Sequence, residues 1–156
     1  MTTGSFYLDD LRVGQRFETG THTVSEEQIK AFAAAYDPQP FHLDDALARA
    51  TMFGGLAASG WHTAAITMRL LVDQRLFADG MIGAGCELAW PRPTRPGDTL
   101  HVVSEVLEIV PSTSRNDRGI ALMRSETLNQ RDEVVQRLTS RMVVFRRPAT
   151  ESKTAG

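Results

Sequence analysis

The sequence predicts an α+β chain in which a curved antiparallel β-sheet wraps around one long central α-helix. Three observations predict it. From about Ser59 to Phe77 the chain carries Trp61, Ala64, Ala65, Ile66, Leu70 and Leu71, with apolar residues nearly all round. A helix apolar on most sides is one that other structure encloses. After Asp79-Gly80 the pattern turns to strands and stays there, in about four segments with short connections, which favours antiparallel pairing. Only one short strand, one small helix and a loop precede the long helix.

Taken in order, residues 1–10 read as a loose lead-in. Val13, Gln15 and Phe17 alternate around a turn at Gly14 and predict a short strand near an edge. Ser25-Glu-Glu-Gln28 is a capping box, and Ile29, Phe32, Ala33 and Tyr36 follow at i, i+3, i+4 and i+7 spacing. That predicts an amphipathic helix over 26–36, ended by Asp37-Pro38 because a residue before proline avoids the α region. Residues 41–50 read as a loop carrying a short helix with Asp44 at its cap, and Gly54-Gly55 breaks the chain again. The later strands are expected at 86–90, 99–110, 120–130 and 134–146 as a meander, with turns at Pro96-Gly97-Asp98, 111–119 and 129–132. Residues 1–148 are expected to form a single domain, and 149–156, almost without apolar residues, a disordered tail.

Composition narrows the function classes. The chain has 156 residues, about one domain, with 42% hydrophobic and 23% charged residues. A net charge of −2 gives no basic excess of the kind that binds nucleic acid. The one cysteine, Cys86, forms no intrachain disulfide and is expected to be a small buried strand residue. The N-terminus lacks a basic and apolar leader, and no run of about 18 apolar residues is present, so a cytoplasmic protein with no membrane partner is expected.

The chemistry concentrates between Tyr36 and Trp61. Asp37 and His42 lie five positions apart, separated by Pro38-Gln39-Pro40, a stiff spacer that lowers the entropy of holding the pair. A carboxylate and an imidazole near one reacting atom suit general acid–base catalysis. Each alone has a structural reading as well: aspartate serves turns and helix ends, and histidine can be a satisfied core residue. Ser59-Gly60 then opens the long helix. The first turn leaves backbone N–H groups unpaired and carries partial positive charge, which outlines an oxyanion site at Gly60. The alternative is Ser59 as an N-cap and Gly60 as a packing glycine.

Tyr36-Asp-Pro-Gln-Pro-Phe-His-Leu-Asp44, with Phe53-Gly-Gly-Leu-Ala-Ala-Ser-Gly60, resembles the MaoC-like dehydratases, which include the (R)-specific enoyl-CoA hydratases. The family pattern Asp-x-Asn-Pro-hydrophobic-His-x-Asp is matched from Asp37 to Asp44, with Gln39 in place of Asn. Ser59 stands where many relatives carry histidine. Trp90-Pro-Arg-Pro-Thr-Arg-Pro-Gly-Asp98 also resembles a family segment, and the likeness covers roughly residues 8–147. The resemblance implies a hotdog fold, a homodimer or higher homo-oligomer, and reversible syn addition of water to a trans-2-enoyl-CoA. By the same resemblance Asp37 and His42 are catalytic and hold one water, and the Gly60 N–H binds the thioester oxygen. No metal or redox cofactor is implied; coenzyme A enters as part of the substrate.

Ser59, Gln39, Phe41, Arg92 and Arg95 are the expected substrate-binding residues. The two arginines suit coenzyme A phosphates by their guanidinium chemistry, or else are solvated loop residues. Trp61 and Trp90 are expected as core or dimer-interface aromatics and His62 as a core or interface residue. His22 and His101 fall in expected strands without partners at metal-ligand spacing. Two other activities remain open on the same fold: a thioesterase, and a non-catalytic acyl-CoA-binding subunit.

Overall fold

The computed structural model describes residues 5–149. Two short strands come first, β1 (Arg16–Glu18) and β2 (His22–Thr23), followed by helices α1 (Glu26–Tyr36), α2 (Pro40–Leu43), α3 (Asp45–Arg49) and α4 (Gly60–Asp73). Four long strands complete the chain: β3 (Ile82–Ala89), β4 (Thr99–Pro111), β5 (Arg118–Leu128) and β6 (Val134–Phe145). They form one antiparallel sheet in the order β1-β4-β5-β6-β3, with β2 also paired to β4. The sheet curls around α4, the hotdog arrangement.

Local chemistry accounts for the elements. Ser25 accepts from the Gln28 N–H at 3.1 Å and Gln28 Oε1 accepts from the Ser25 N–H at 3.2 Å, so the capping box starts α1 as expected. Asp37 closes α1, and Pro40, with no N–H to lose, opens α2 one residue after the Gln39 cap. Asp44 caps α3 by accepting from the Leu47 N–H at 2.9 Å. Along β4 and β5 burial alternates residue by residue, as a half-covered sheet requires. Gly97, at φ +85°, takes the left-handed corner between the proline segment and β4 that a side chain would strain.

The core lies between the inner face of the sheet and one side of α4. Ile66, Leu70 and Leu71 pack with Val24, Ile29, Leu100, Val102 and Val135 at one end. At the other end Leu76 and Phe77 pack with Leu8, Leu11, Val106, Met123 and Met142. Leu8, in a short 3₁₀ turn, is buried, and Phe6 exchanges backbone hydrogen bonds with Leu76 and Ala78. The described part of the lead-in is therefore tied to the core, and Asp9 and Asp10 pair with Arg146 and Arg147. The tail expected to be disordered lies, apart from Ala149, outside the described residues.

Three expectations need correction. Only β4, β5 and β6 form a meander; β3 pairs with β6 at the far edge, and the proline segment carries the chain back across the sheet to β4. Cys86 is exposed rather than buried, because β3 is an edge strand and nothing among the described residues covers Cys86. Trp61, Met68 and Val72 leave the outer side of α4 uncovered, and Trp61 and Trp90 meet edge to face at the surface, with ring centroids 5.3 Å apart. Neither tryptophan is a core residue of this chain.

Candidate active site

The turn after α1 and the short helix α2 place the acid and the imidazole. Asp37, as the last cap of α1, turns its carboxylate toward the start of α4. His42 sits two residues into α2 and is 5% exposed. Its Nδ1 lies 2.7 Å from the Ala57 carbonyl oxygen. A carbonyl can only accept, so Nδ1 carries the hydrogen and donates. Nε2 is thereby aimed at Asp37 Oδ2, 3.4 Å away. Phe41 packs edge-on against the imidazole at 4.6 Å between centroids and also meets Phe53. Its place is beside the histidine ring.

Asp37 is held by two further donors. Ser59 Oγ donates to Oδ2 at 2.7 Å, and Gln39 Nε2 donates to Oδ1 at 2.6 Å. The Ser59 hydroxyl is the chief reason the carboxyl is held below the usual carboxylate range; burial opposes it, while Gln39 and then His42 add to the lowering. Asp37 is therefore a carboxylate at neutral pH. Ser59 does occupy the N-cap position of α4, but its hydroxyl makes no cap bond and goes to Asp37 instead. Replacing Ser59 by alanine is expected to raise the Asp37 pKa toward its ordinary value. The sign follows from linkage: a depressed carboxyl stabilises the fold above its unfolded pKa, and that stability is lost as pH falls through the folded pKa. In Ser59→Ala that contribution should be smaller and its loss complete at higher pH, while the acid limb of kcat/KM begins at higher pH, read from acid unfolding and a pH–rate profile of both proteins.

The loop that presents Ala57 and Ser59 is strapped in place. Arg95 donates through Nη1 to the Gly55 and Leu56 carbonyls at 2.8 and 3.2 Å and through Nη2 to the Phe53 carbonyl. Asp45 Oδ1 accepts from the Leu56 N–H at 2.9 Å, and the Ala58 N–H donates to the Thr94 carbonyl. The structure thus gives Arg95 a task other than the phosphate contact or the solvated loop position expected for it. Arg92 is half exposed, 3.5 Å from Glu133, at the rim of the site.

A cavity of about 420 Å³ opens beside these groups, with His42, Phe53, Gly60, Thr63, Trp90 and Arg92 among its walls. Gly60 is the first residue of α4, so its N–H has no intrahelical partner. A Cβ added there would lie 2.7 Å from the Trp90 ring, so the glycine is needed for the indole to cross the helix start. The packing reading of Gly60 is met by Trp90, and Gly60 also lines the cavity. Trp90 itself is fixed by donation to Gln136 Oε1 at 2.9 Å. Sequence reasoning missed Trp90, Gln136 and the Ala57 carbonyl: a backbone acceptor leaves no mark in sequence, and a strand glutamine reads as solvent-facing. His62 is buried against Phe32, with rings stacked at 4.7 Å, and burial lowers its pKa. Among the described residues no three His, Cys, Asp or Glu side chains converge to hold a metal.

Residues 10–126 match the model of the MaoC like domain. The chain belongs to that family. A MaoC-like dehydratase from Rhodospirillum rubrum superposes with a TM-score of 0.91 at 63% identity, covering 93% of this chain and all of the other. The uncharacterized protein YdeM of Bacillus subtilis is 36% identical over 128 residues, 80% of this chain and 89% of its own. The 3-hydroxybutyryl-CoA dehydratase of Methylorubrum extorquens is 33% identical over 110 residues, 70% of this chain and 69% of its own.

Proposed function

We propose that this MaoC-like protein is a hydratase/dehydratase for acyl-CoA thioesters, interconverting a trans-2-enoyl-CoA and an (R)-3-hydroxyacyl-CoA. The observation that carries the reading is the facing of Asp37 Oδ2 and His42 Nε2 at 3.4 Å beside a cavity that His42 and Gly60 both line. Both atoms are acceptors, and one water donating a hydrogen to each satisfies them while its lone pair faces the substrate. The kinship with a 3-hydroxybutyryl-CoA dehydratase supports the substrate class.

The steps balance without any co-reactant. The water oxygen bonds C3 of the enoyl group as Asp37 takes one of its protons. The π electrons move onto the thioester oxygen, where the Gly60 N–H and the start of α4 stabilise the enolate charge. The proton passes from Asp37 to His42 Nε2 and on to C2, on the face the oxygen entered. Both side chains return to their starting states. The Ala57 carbonyl fixes the ring so that Nε2 stays free for this relay. Arg92 lines the cavity, and its guanidinium is the group we assign to the phosphates of coenzyme A.

The test is crotonyl-CoA with purified protein: absorbance of the conjugated thioester should fall to an equilibrium value without free thiol. Thiol release without hydration would turn the reading to a thioesterase. The same proposal takes the protein as a homodimer, supported by the outer edge of β3 and the side of α4 that the described residues leave unpaired and uncovered. Light scattering should then give twice the chain mass of 17.2 kDa.

A further inference from the structure

We infer that Gln136, with Thr67 and Thr127, forms a polar partition that ends the acyl site and makes the protein selective for short acyl chains. The inference rests on the hydratase reading and names the residues that set its substrate length.

The inner face of the sheet is ordered in rows. Val102, Thr127 and Gln136 are register partners across β4, β5 and β6. Two residues further along the strands, Ser104, Ser125 and Leu138 form the next row, and then Val106, Met123 and Ser140. On α4 the facing positions are Thr63, Thr67 and Leu71, one turn apart. The site cavity has Thr63 and Trp90 in its wall but none of Thr67, Thr127 and Gln136. A second cavity of about 270 Å³ begins beyond the first row, between Met68 and Leu71 on the helix and Ser125, Leu138, Ser140 and Met142 on the sheet.

The row that lies between the lining residues of the two cavities is hydrogen-bonded and buried. Thr67 and Thr127 hydroxyls meet at 2.6 Å, Gln136 Nε2 donates to Thr67 Oγ1 at 3.1 Å, and Gln136 Oε1 accepts from Trp90 Nε1 at 2.9 Å. Thr67, Thr127 and Gln136 are each 0% exposed. A glutamine seldom lies wholly inside a core, and a leucine or methionine would fill the same volume without desolvating an amide. Its partners lock it in one rotamer, so an entering chain would have to break buried hydrogen bonds to pass.

Polarity sets the direction of the bound substrate. Coenzyme A is anionic and stays at the rim, so the acyl tail points inward from the Gly60 amide. Along α4 that tail meets the Thr67 row seven residues on, ~10 Å at the helical rise. Chains that end before the row fit, and longer ones need the second cavity behind it.

The experiment compares kcat/KM for crotonyl-CoA and trans-2-octenoyl-CoA in the full chain. Wild type should favour crotonyl-CoA at least tenfold. Gln136→Ala leaves Thr67 and Thr127 paired, joins the cavities, and should raise the octenoyl-to-crotonyl ratio at least tenfold. Adding Ser140→Phe, which refills the second cavity, should reverse the gain. Because the readout is a ratio within one protein, a merely weakened enzyme would not move it. Should Gln136→Ala fail to fold, Gln136→Met keeps the volume, drops both hydrogen bonds and should shift the ratio the same way. A wild type that prefers octenoyl-CoA, or an unchanged ratio in a folded Gln136 variant active on crotonyl-CoA, overturns the partition and leaves the hydratase reading standing. If wild type hydrates neither ester, that reading fails. Calorimetric binding of butyryl-CoA against octanoyl-CoA to the same proteins then decides the partition by the same ratio, no change in it being a refutation.

Discussion

Asp37→Asn is expected to lower kcat/KM for crotonyl-CoA by about 10²–10⁴-fold, the usual range for losing a positioned proton acceptor. The substitution keeps the shape of the side chain and removes its charge and basicity. Ser59 donates to Oδ2 and Gln39 to Oδ1 now; in asparagine one of them keeps the remaining oxygen, and the other turns its own oxygen to accept from the new NH2, so the turn after α1 should hold. His42→Ala should cost a comparable factor for a different reason. It removes the ring that Ala57 and Phe41 hold in place, and with it both the second anchor for water and the path of the proton to C2. The two losses should not add in the double variant, because the groups share one water and act as a unit. The measurement is initial rate by thioester absorbance with circular dichroism on each variant. A folded Asp37→Asn or His42→Ala protein within a few fold of wild type would remove these residues from the mechanism.

Arg95→Ala is expected to destabilise the fold by about 2–4 kcal/mol and to reduce activity without touching a catalytic group. The guanidinium serves three backbone carbonyls in a half-buried loop, and each acceptor left unpaired costs on the order of 1–3 kcal/mol, less where water can enter. For a chain of this size that is a Tm lower by roughly 5–15 °C in a thermal melt. Loop 53–58 carries the Ala57 carbonyl that orients His42, and it leads into Ser59, which holds Asp37. Slackening it should therefore lower kcat through misplacement of both. Arg95→Lys should rescue little, since one ammonium cannot replace a planar fork spread over three acceptors. A phosphate-binding arginine would behave otherwise, with a raised KM, an unchanged Tm and partial rescue by lysine. Those results would return Arg95 to the coenzyme.

The element order was legible because it rests on local signals. Ser25 and Gln28 mark the start of α1, Asp37-Pro38 marks its end, and the β-branched runs after Gly80 mark the strands. The place of β3 was not legible. Strand neighbours are chosen by tertiary packing, and the proline segment that carries the chain across the sheet reads as an ordinary turn. The exposure of Cys86 was misread, and of the two readings of Trp61 and Trp90, core or dimer interface, exposure sets aside only the core, for a related reason: hydrophobic character predicts burial somewhere, including in a partner, and not within one chain.

At the candidate site the sequence by itself determined the residue types and their spacing: Asp37 and His42 across a stiff Pro-Gln-Pro link, and a glycine opening a long apolar helix. Those are covalent neighbours and short-range constraints, and they survive any tertiary arrangement. Only the tertiary structure decided what each group does. Ser59, 22 positions from Asp37, became the donor that keeps the carboxylate charged. Arg95, 40 positions from Gly55, became the strap on the loop. Gln136, 46 positions from Trp90, became the buried acceptor that fixes the indole. Each of these depends on a hydrogen bond between distant segments, and such a bond exists only once the sheet has closed around α4.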